Sequence, residues 1–220
     1  MLDLLDLAFL ITAFVTLFVV IDPVGTAPVF LALTQGMSSA RRRAIAIRSC
    51  LIAAILLALF GVAGEDFLRF IGISMPAFQI AGGILLFLTA LDMLFDRRAR
   101  RRADHASDDP ARTEADDPSV FPLAMPLIAG PGAMATMVLL IGDAGRGPHA
   151  MALVTAVMLV VILLVFLAFL SSALIERLLR RTGTMVLTRL FGLLLAALSV
   201  QFVLNGANAI GLLPPTAGQF

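Results

Sequence analysis

"FVVIDPVGTAPVF" (residues 18–30) sets an aspartate, two prolines and a glycine inside a stretch that is otherwise apolar enough to lie in a membrane. Hydrocarbon is the most expensive surrounding for a charge. Proline in mid-helix removes one backbone hydrogen bond and clashes with the preceding turn, at a cost of ~3 kcal/mol or more. The residues on either side decide whether this is a loop of a soluble domain or a deliberate interruption of a membrane span.

The 220 residues are 60% hydrophobic and only 14% charged, with a mean hydropathy of +1.01. Soluble domains are about half apolar and a quarter charged, so the chain reads as an integral membrane protein. Runs of roughly 20 apolar residues, the length that crosses a bilayer core, occur at about 7–34, 44–63, 75–95, 121–141, 149–172 and 186–211. They predict an all-α protein of six transmembrane helices, and no period-2 alternation points to a membrane β-barrel. The opening "MLDLLDLAFL" carries Asp3 and Asp6 where a secretory signal peptide carries positive charge, so it is read as the start of a permanent segment. The single cysteine, Cys50, excludes disulfides within the chain and multi-cysteine metal sites.

All 16 basic residues are arginine. Arg41, Arg42, Arg43 and Arg48, the cluster Arg97 to Arg112, and Arg177, Arg180, Arg181 and Arg189 fall on one side of a six-span arrangement, leaving Arg69 and Arg146 for the other. The positive-inside rule then predicts both termini outside the cytoplasm and the 96–120 segment within it. That segment, "DRRARRRADHASDDPARTEADDPSV", is read as a flexible cytoplasmic linker whose arginines lie against lipid head groups. A nucleic-acid role for them is disfavoured because topology already accounts for the run. His105 and His149 lie in loops without ligand-spaced partners, so no metal site or other cofactor is expected.

The two halves resemble one another. "GGILLFLTALDMLF" (82–95) aligns with "FGLLLAALSVQFVL" (191–204), placing Gly83 on Gly192 and Asp92 on Gln201. "IDPVGTAP" and "IAGPGAMA" each put proline and glycine near the middle of an apolar span, in helices one and four. With three helices per half, the halves run in opposite directions across the membrane. The expected organisation is a first repeat at 1–96, a linker at 97–120 and a second repeat at 121–220. Inverted repeats with paired interrupted segments are the plan of many secondary transporters, and the interruptions mark their substrate region.

The chemistry of the breaks follows from the residue types. Asp is a good N-cap and Pro is favoured at the first helical position, so a half-helix is expected to start at Pro23 behind Asp22. Gly130-Pro131 permits the same start in helix four. Each half-helix would aim free N–H groups and a positive dipole end at the bilayer centre, a setting for a small carboxylate. Gly25 and Gly132 carry no side chain to bar a ligand, and Thr26 and Thr136 place hydroxyls nearby. Gln201, Asn205 and Asn208 put amides on one face of helix six, either lining a solute path or bonding helix to helix. Asp22 is read either as a cap that heals a kink or as a residue touching solute; the second is favoured because intramembrane acids are usually functional. Gly82, Gly83 and Gly192 are read as close-packing contacts rather than ligand contacts.

"VVIDPVGTAPVFLALT", "GISMPAFQIAGGILLFLTALDML", "PLAMPLIAGPGAMAT" and "GLLLAALSVQFVLNG" together resemble the signature segments of the MarC family of multipass inner-membrane proteins. The resemblance extends over nearly the whole chain and weakens in the 96–120 loop and at the C-terminus. The family is similar in plan to LysE-type exporters and includes SnatA-type carriers of small neutral amino acids. It implies that Asp22, Pro23 and Gly25, with Gly130, Pro131 and Gly132, form the substrate region. The expected function is transport of a small neutral amino acid, or a similar zwitterionic metabolite, by alternating access across the bacterial cytoplasmic membrane. Gly25/Thr26 and Gly132/Ala133 would hold the carboxylate, Asp22 and nearby carbonyls the ammonium, and Gln201 and Asn205 would line the path. A coupling ion, H+ or Na+, and a homo-oligomeric state are further expectations. Two other classes compete: a membrane scaffold without transport, and, less favoured, an intramembrane enzyme using Asp22 and Asp92. The latter lacks an intramembrane Ser/His pair or a nucleotide loop, so no enzymatic activity is expected.

Overall fold

The computed structural model describes residues 4–95, 117–143 and 147–212. Every element in them is helical: α1 (Leu4–Ile21), α2 (Pro23–Leu33), α3 (Ser39–Phe70), α4 (Met75–Leu94), α5 (Ser119–Ile128), α6 (Pro131–Asp143), α7 (Pro148–Leu170) and α8 (Ser172–Ala209). Five helical stretches are long and apolar enough to cross a membrane, and a sixth span results when α5 and α6, bent by 52°, count as one. Six membrane-length segments thus match the expectation from hydropathy. The expected linker lies outside the described residues as far as position 116.

Two boundaries and the regularity of one element differ from expectation. α3 runs over Ser39–Phe70 rather than 44–63, because Ser38 caps it by accepting from the Arg41 N–H at 3.3 Å and the arginine-bearing first turns are helical too. α8 starts at Ser172, with only Ser171 between it and the end of α7, where a loop was expected through the arginines. Hydropathy marks only the part of a helix inside hydrocarbon, so it misses polar turns that continue it. α5 is not a regular half-helix. Phe121 and Met125 are extended (φ −126° and −129°), each preceding a proline joined by a cis peptide bond, Pro122 and Pro126.

Packing rests on small residues, since lipid chains are as apolar as leucine and close contact, not water exclusion, holds such helices together. α3 turns Gly61 and Gly64 to α6; a Cβ on Gly61 would lie 2.9 Å from Ile141 and one on Gly64 2.5 Å from Val138. α4 and α8 run antiparallel in the most extensive contact of the bundle. Gly83 fits against Val203 and the Ser199 carbonyl, Gly192 against Leu94 and the Ala90 carbonyl, and Gly206 against the Pro76 carbonyl. Gly82 instead faces Ala135 and Leu139 of α6.

At the arginine-rich end, Phe30 of α2 and Phe169 of α7 are fully buried and stacked, with ring centroids 4.4 Å apart at 6°. The Arg42 guanidinium lies 5.9 Å from the centre of the Phe30 ring and donates to Ser172 Oγ at 3.2 Å, which ties α2, α3, α7 and α8 together there. Arg48 and Asp117 form an ion pair at 2.7 Å between α3 and the approach to α5.

Candidate functional site

α1 and α2 form one span from Leu7 to Leu33, and Asp22 interrupts it. Its φ of 55° is left-handed, the only positive φ at a non-glycine position among the described residues. Pro23 offers no N–H to the carbonyl of Val19 one turn back, so the helix is open here on covalent grounds. The interruption is one residue long. The Asp22 N–H still donates to the Phe18 carbonyl at 2.9 Å, and the Thr26 N–H to the Asp22 carbonyl at 3.0 Å.

The Asp22 side chain folds back on α2. Oδ1 accepts from the Gly25 N–H at 2.9 Å, the N-cap expected of an Asp-Pro start. Oδ2 is buried without a hydrogen-bond partner, and the residue as a whole is 0% exposed. A buried polar atom left unpaired carries a desolvation penalty of about 1–3 kcal/mol, more when charged. Gly25 serves a purpose other than the one expected of it. A Cβ there would overlap Asp22 Oδ2, so the missing side chain makes room for the chain's own carboxylate. Of the two readings of Asp22, capping is therefore real, and it leaves one oxygen over.

The second break runs through Ala129 and Gly130. A Cβ on Gly130 would meet the Pro126 carbonyl at 2.5 Å, so only glycine permits this approach of backbone to backbone. α6 opens with Pro131, and its first N–H groups, at Gly132 and Ala133, precede the first carbonyl within the helix that could accept from them. Gly132 and Ala133 are buried, Gly130 is half-buried and Pro131 is exposed. Thr26 Oγ1 donates back to the Asp22 and Pro23 carbonyls (3.0 and 3.1 Å), and Thr136 Oγ1 to the Gly132 carbonyl (2.9 Å). Both buried threonines thus close the first turn after a break.

The two breaks are neighbours. A Cβ on Gly132 would lie 3.7 Å from Val20 of α1, two residues before Asp22, and 3.1 and 3.9 Å from Leu86 and Thr89 of α4. α2 runs from the break toward the arginine-rich end and α6 runs from its break toward the other end, so their N-terminal ends converge near the middle of the bundle from opposite sides. Gly132 is thereby placed beside the end of α1 that leads into Asp22, while Pro23, Gly25 and Thr26 begin α2 and Gly130, Pro131 and Ala133 flank Gly132 at the start of α6. Gln201 and Asn205 lie elsewhere. Both are exposed on α8 and bonded to one another, Gln201 Nε2 donating to Asn205 Oδ1 at 2.8 Å. The reason is helical period: Gly192, Ser199 and Gly206 turn toward α4, and the amides stand on the opposite side.

Sequence reasoning missed Leu86 and Thr89, which face Gly132, and the Phe30–Phe169 stack. Apolar and hydroxyl residues in an apolar helix give no local signal. Pro122 and Pro126, two prolines one helical turn apart, were a legible sign of the irregular α5.

The chain matches the family model described as MarC family integral membrane protein over residues 7–210. It is 37% identical over 208 residues to the UPF0056 membrane protein YvbG of Bacillus subtilis, covering 94% of this chain and 97% of that one. It is 36% identical to the UPF0056 inner membrane protein YhgN of Escherichia coli K12, over 90% and 95% of the two chains. A UPF0056 membrane protein of Archaeoglobus fulgidus is 38% identical over 91% of this chain and 92% of its own. No solved structure matches. With interrupted membrane segments in the right order and likeness of this extent along nearly its whole length, the chain belongs to the MarC family of integral membrane proteins.

Proposed function

We propose that this protein is a transporter of small neutral amino acids, of the size of glycine or alanine, working by alternating access in the cytoplasmic membrane with both termini outside. The observation that carries the reading is the pair of breaks meeting at Val20 and Gly132, with the half-satisfied carboxylate of Asp22 at one and the N-terminal end of α6 at the other. Because the Gly25 N–H is engaged by Asp22, the solute carboxylate falls to Gly132 and Ala133, where N–H groups and the helix dipole favour an anion. Asp22 Oδ2 receives the ammonium. A zwitterion with a small side chain suits a site walled by Val20, Leu86 and Thr89.

Alternating access needs two related halves, and the α4–α8 contact supports such a relation. When Gly83 is aligned with Gly192, Ala90 falls on Ser199 and Leu94 on Val203. The contacts Gly83–Ser199 and Gly83–Val203 then exchange with Gly192–Ala90 and Gly192–Leu94. This exchange supports inverted repeats about an axis between the two helices. On the arginine-rich side, the stacked Phe30 and Phe169 close the region one turn beyond Thr26, which suits a state shut on that side. That YhgN is named an inner membrane protein agrees with the reading. Proton coupling through Asp22 is part of the proposal: uphill, pH-dependent uptake should fail in Asp22→Asn, and its full retention in proteoliposomes would refute this part. Transport itself is tested by counterflow of labelled glycine and alanine into proteoliposomes.

A further inference from the structure

We propose that the outward face of α8 is the contact between two copies of this chain, α8 lying parallel to α8 across a twofold axis normal to the membrane. The span Thr182–Ala209 has 22% of its most apolar window buried, against 33–44% for Leu7–Leu33, Ser39–Phe70, Met75–Leu94 and Pro148–Leu170. It nevertheless presents Gln201, Asn205 and Asn208 outward. Their depth follows from the register with α4. Ser199 is level with Gly83, near the middle of the 20-residue α4. At 1.5 Å per residue, Gln201 lies within ~5 Å of the bilayer centre, Asn205 about 11 Å from it and Asn208 at about the edge of the hydrocarbon. Polar groups at such depth are covered by protein or water, not by lipid.

The occupant is identified by the chemistry of the face. The Gln201–Asn205 bond uses one N–H and one acceptor, and an amide pair has more of both to offer. Amides are self-complementary, donating and accepting at once, whereas a charged group repels its own copy. In a bilayer every copy has the same orientation, so a twofold-related α8 brings Gln201 to Gln201 at equal depth, an isologous contact. The shape fits as well. Leu190, Leu194, Ala197, Gln201, Leu204 and Asn208 are all exposed and recur in alternating steps of four and three residues, the seam of a parallel helix pair. This seam points directly away from the Gly192–Ser199–Gly206 face on α4, so dimerisation leaves the bundle undisturbed. Ala197 permits close approach, and a polar residue within a seam fixes its register. The inference is independent of the transport reading.

The test uses the full chain with Cys50→Ala as background, reconstituted in lipid vesicles. Oxidative crosslinking of Ala197→Cys and of Leu204→Cys should yield covalent dimers, whereas Leu88→Cys on the exposed face of α4 should not. Single-molecule photobleaching of the wild type should show a monomer–dimer equilibrium that shifts to monomer on dilution in lipid. Gln201→Leu should weaken association by roughly three- to thirtyfold, the range for hydrogen bonds between membrane helices. Monomers at every density, crosslinking at Leu88→Cys equal to that at Ala197→Cys, or unchanged association of Gln201→Leu would each overturn the proposal.

Discussion

Asp22 combines two tasks that substitution separates. Its Oδ1 caps α2, and its Oδ2 is the unpaired buried atom offered to a solute ammonium. Asp22→Asn keeps an acceptor for the Gly25 N–H and is expected to unfold within about 1 kcal/mol of wild type; Asp22→Ala loses the cap, at roughly 1 kcal/mol. Thermal unfolding in detergent measures both, and an Asn variant less stable than the Ala variant would contradict the assignment. Gly25→Ala is the sharper probe, because its Cβ takes the place of the carboxylate oxygen. It should lower the unfolding temperature and abolish solute flux together. An Ala variant with wild-type stability and flux would mean that the carboxylate does not sit where described.

At the scale of helices, the α4–α8 seam makes an ordered prediction. A Cβ at Gly83 would stand 2.7 Å from Val203 and 2.8 Å from a backbone oxygen, one at Gly192 3.1–3.2 Å from its neighbours. Gly83→Ala should therefore destabilise more than Gly192→Ala, by about 1–3 kcal/mol for the former; denaturant titration in mixed micelles checks the order, and the reverse order refutes it. The ion pair of Arg48 on α3 with Asp117 before α5 is expected to respond to pH. Partial burial works against ionisation of Asp117, but hydrogen bonds from Ser119 and the Arg48 guanidinium outweigh it and hold the carboxyl below its usual range. With the folded pKa depressed, the tie is intact above the ordinary carboxylate pKa of about 4 and is lost as pH falls through the lower folded value. Spin labels on Arg43→Cys and Val120→Cys should report one distance from pH 5 to 8 and a broader distribution under strong acid, a response absent in Asp117→Asn. What was legible at this scale was the set of spans and both break points, because Asp-Pro and Gly-Pro are unmistakable in apolar surroundings. What was not legible was which face of a span meets protein. Hydropathy weighs Gln201 alike whether it looks into the bundle or out of it, and only the packing of Gly192, Ser199 and Gly206 against α4 decides between the two readings of the amide stripe by turning it outward.

For the whole molecule, the distribution of arginine predicts both termini outside, which fusion of compartment-specific reporters to each end would check; an active cytoplasmic reporter at either terminus would overturn that orientation. The central claim is that two interrupted spans meet to hold a small zwitterion, and its most direct test is counterflow in proteoliposomes. Labelled glycine or alanine should accumulate against unlabelled solute with the wild type. It should fail to do so with Gly132→Trp, whose indole would displace Leu86, Val20 and Thr89, and with Asp22→Asn as a second variant of intact fold. Absence of counterflow for every small neutral amino acid with a folded wild-type protein, or flux undiminished in Gly132→Trp, would contradict the account.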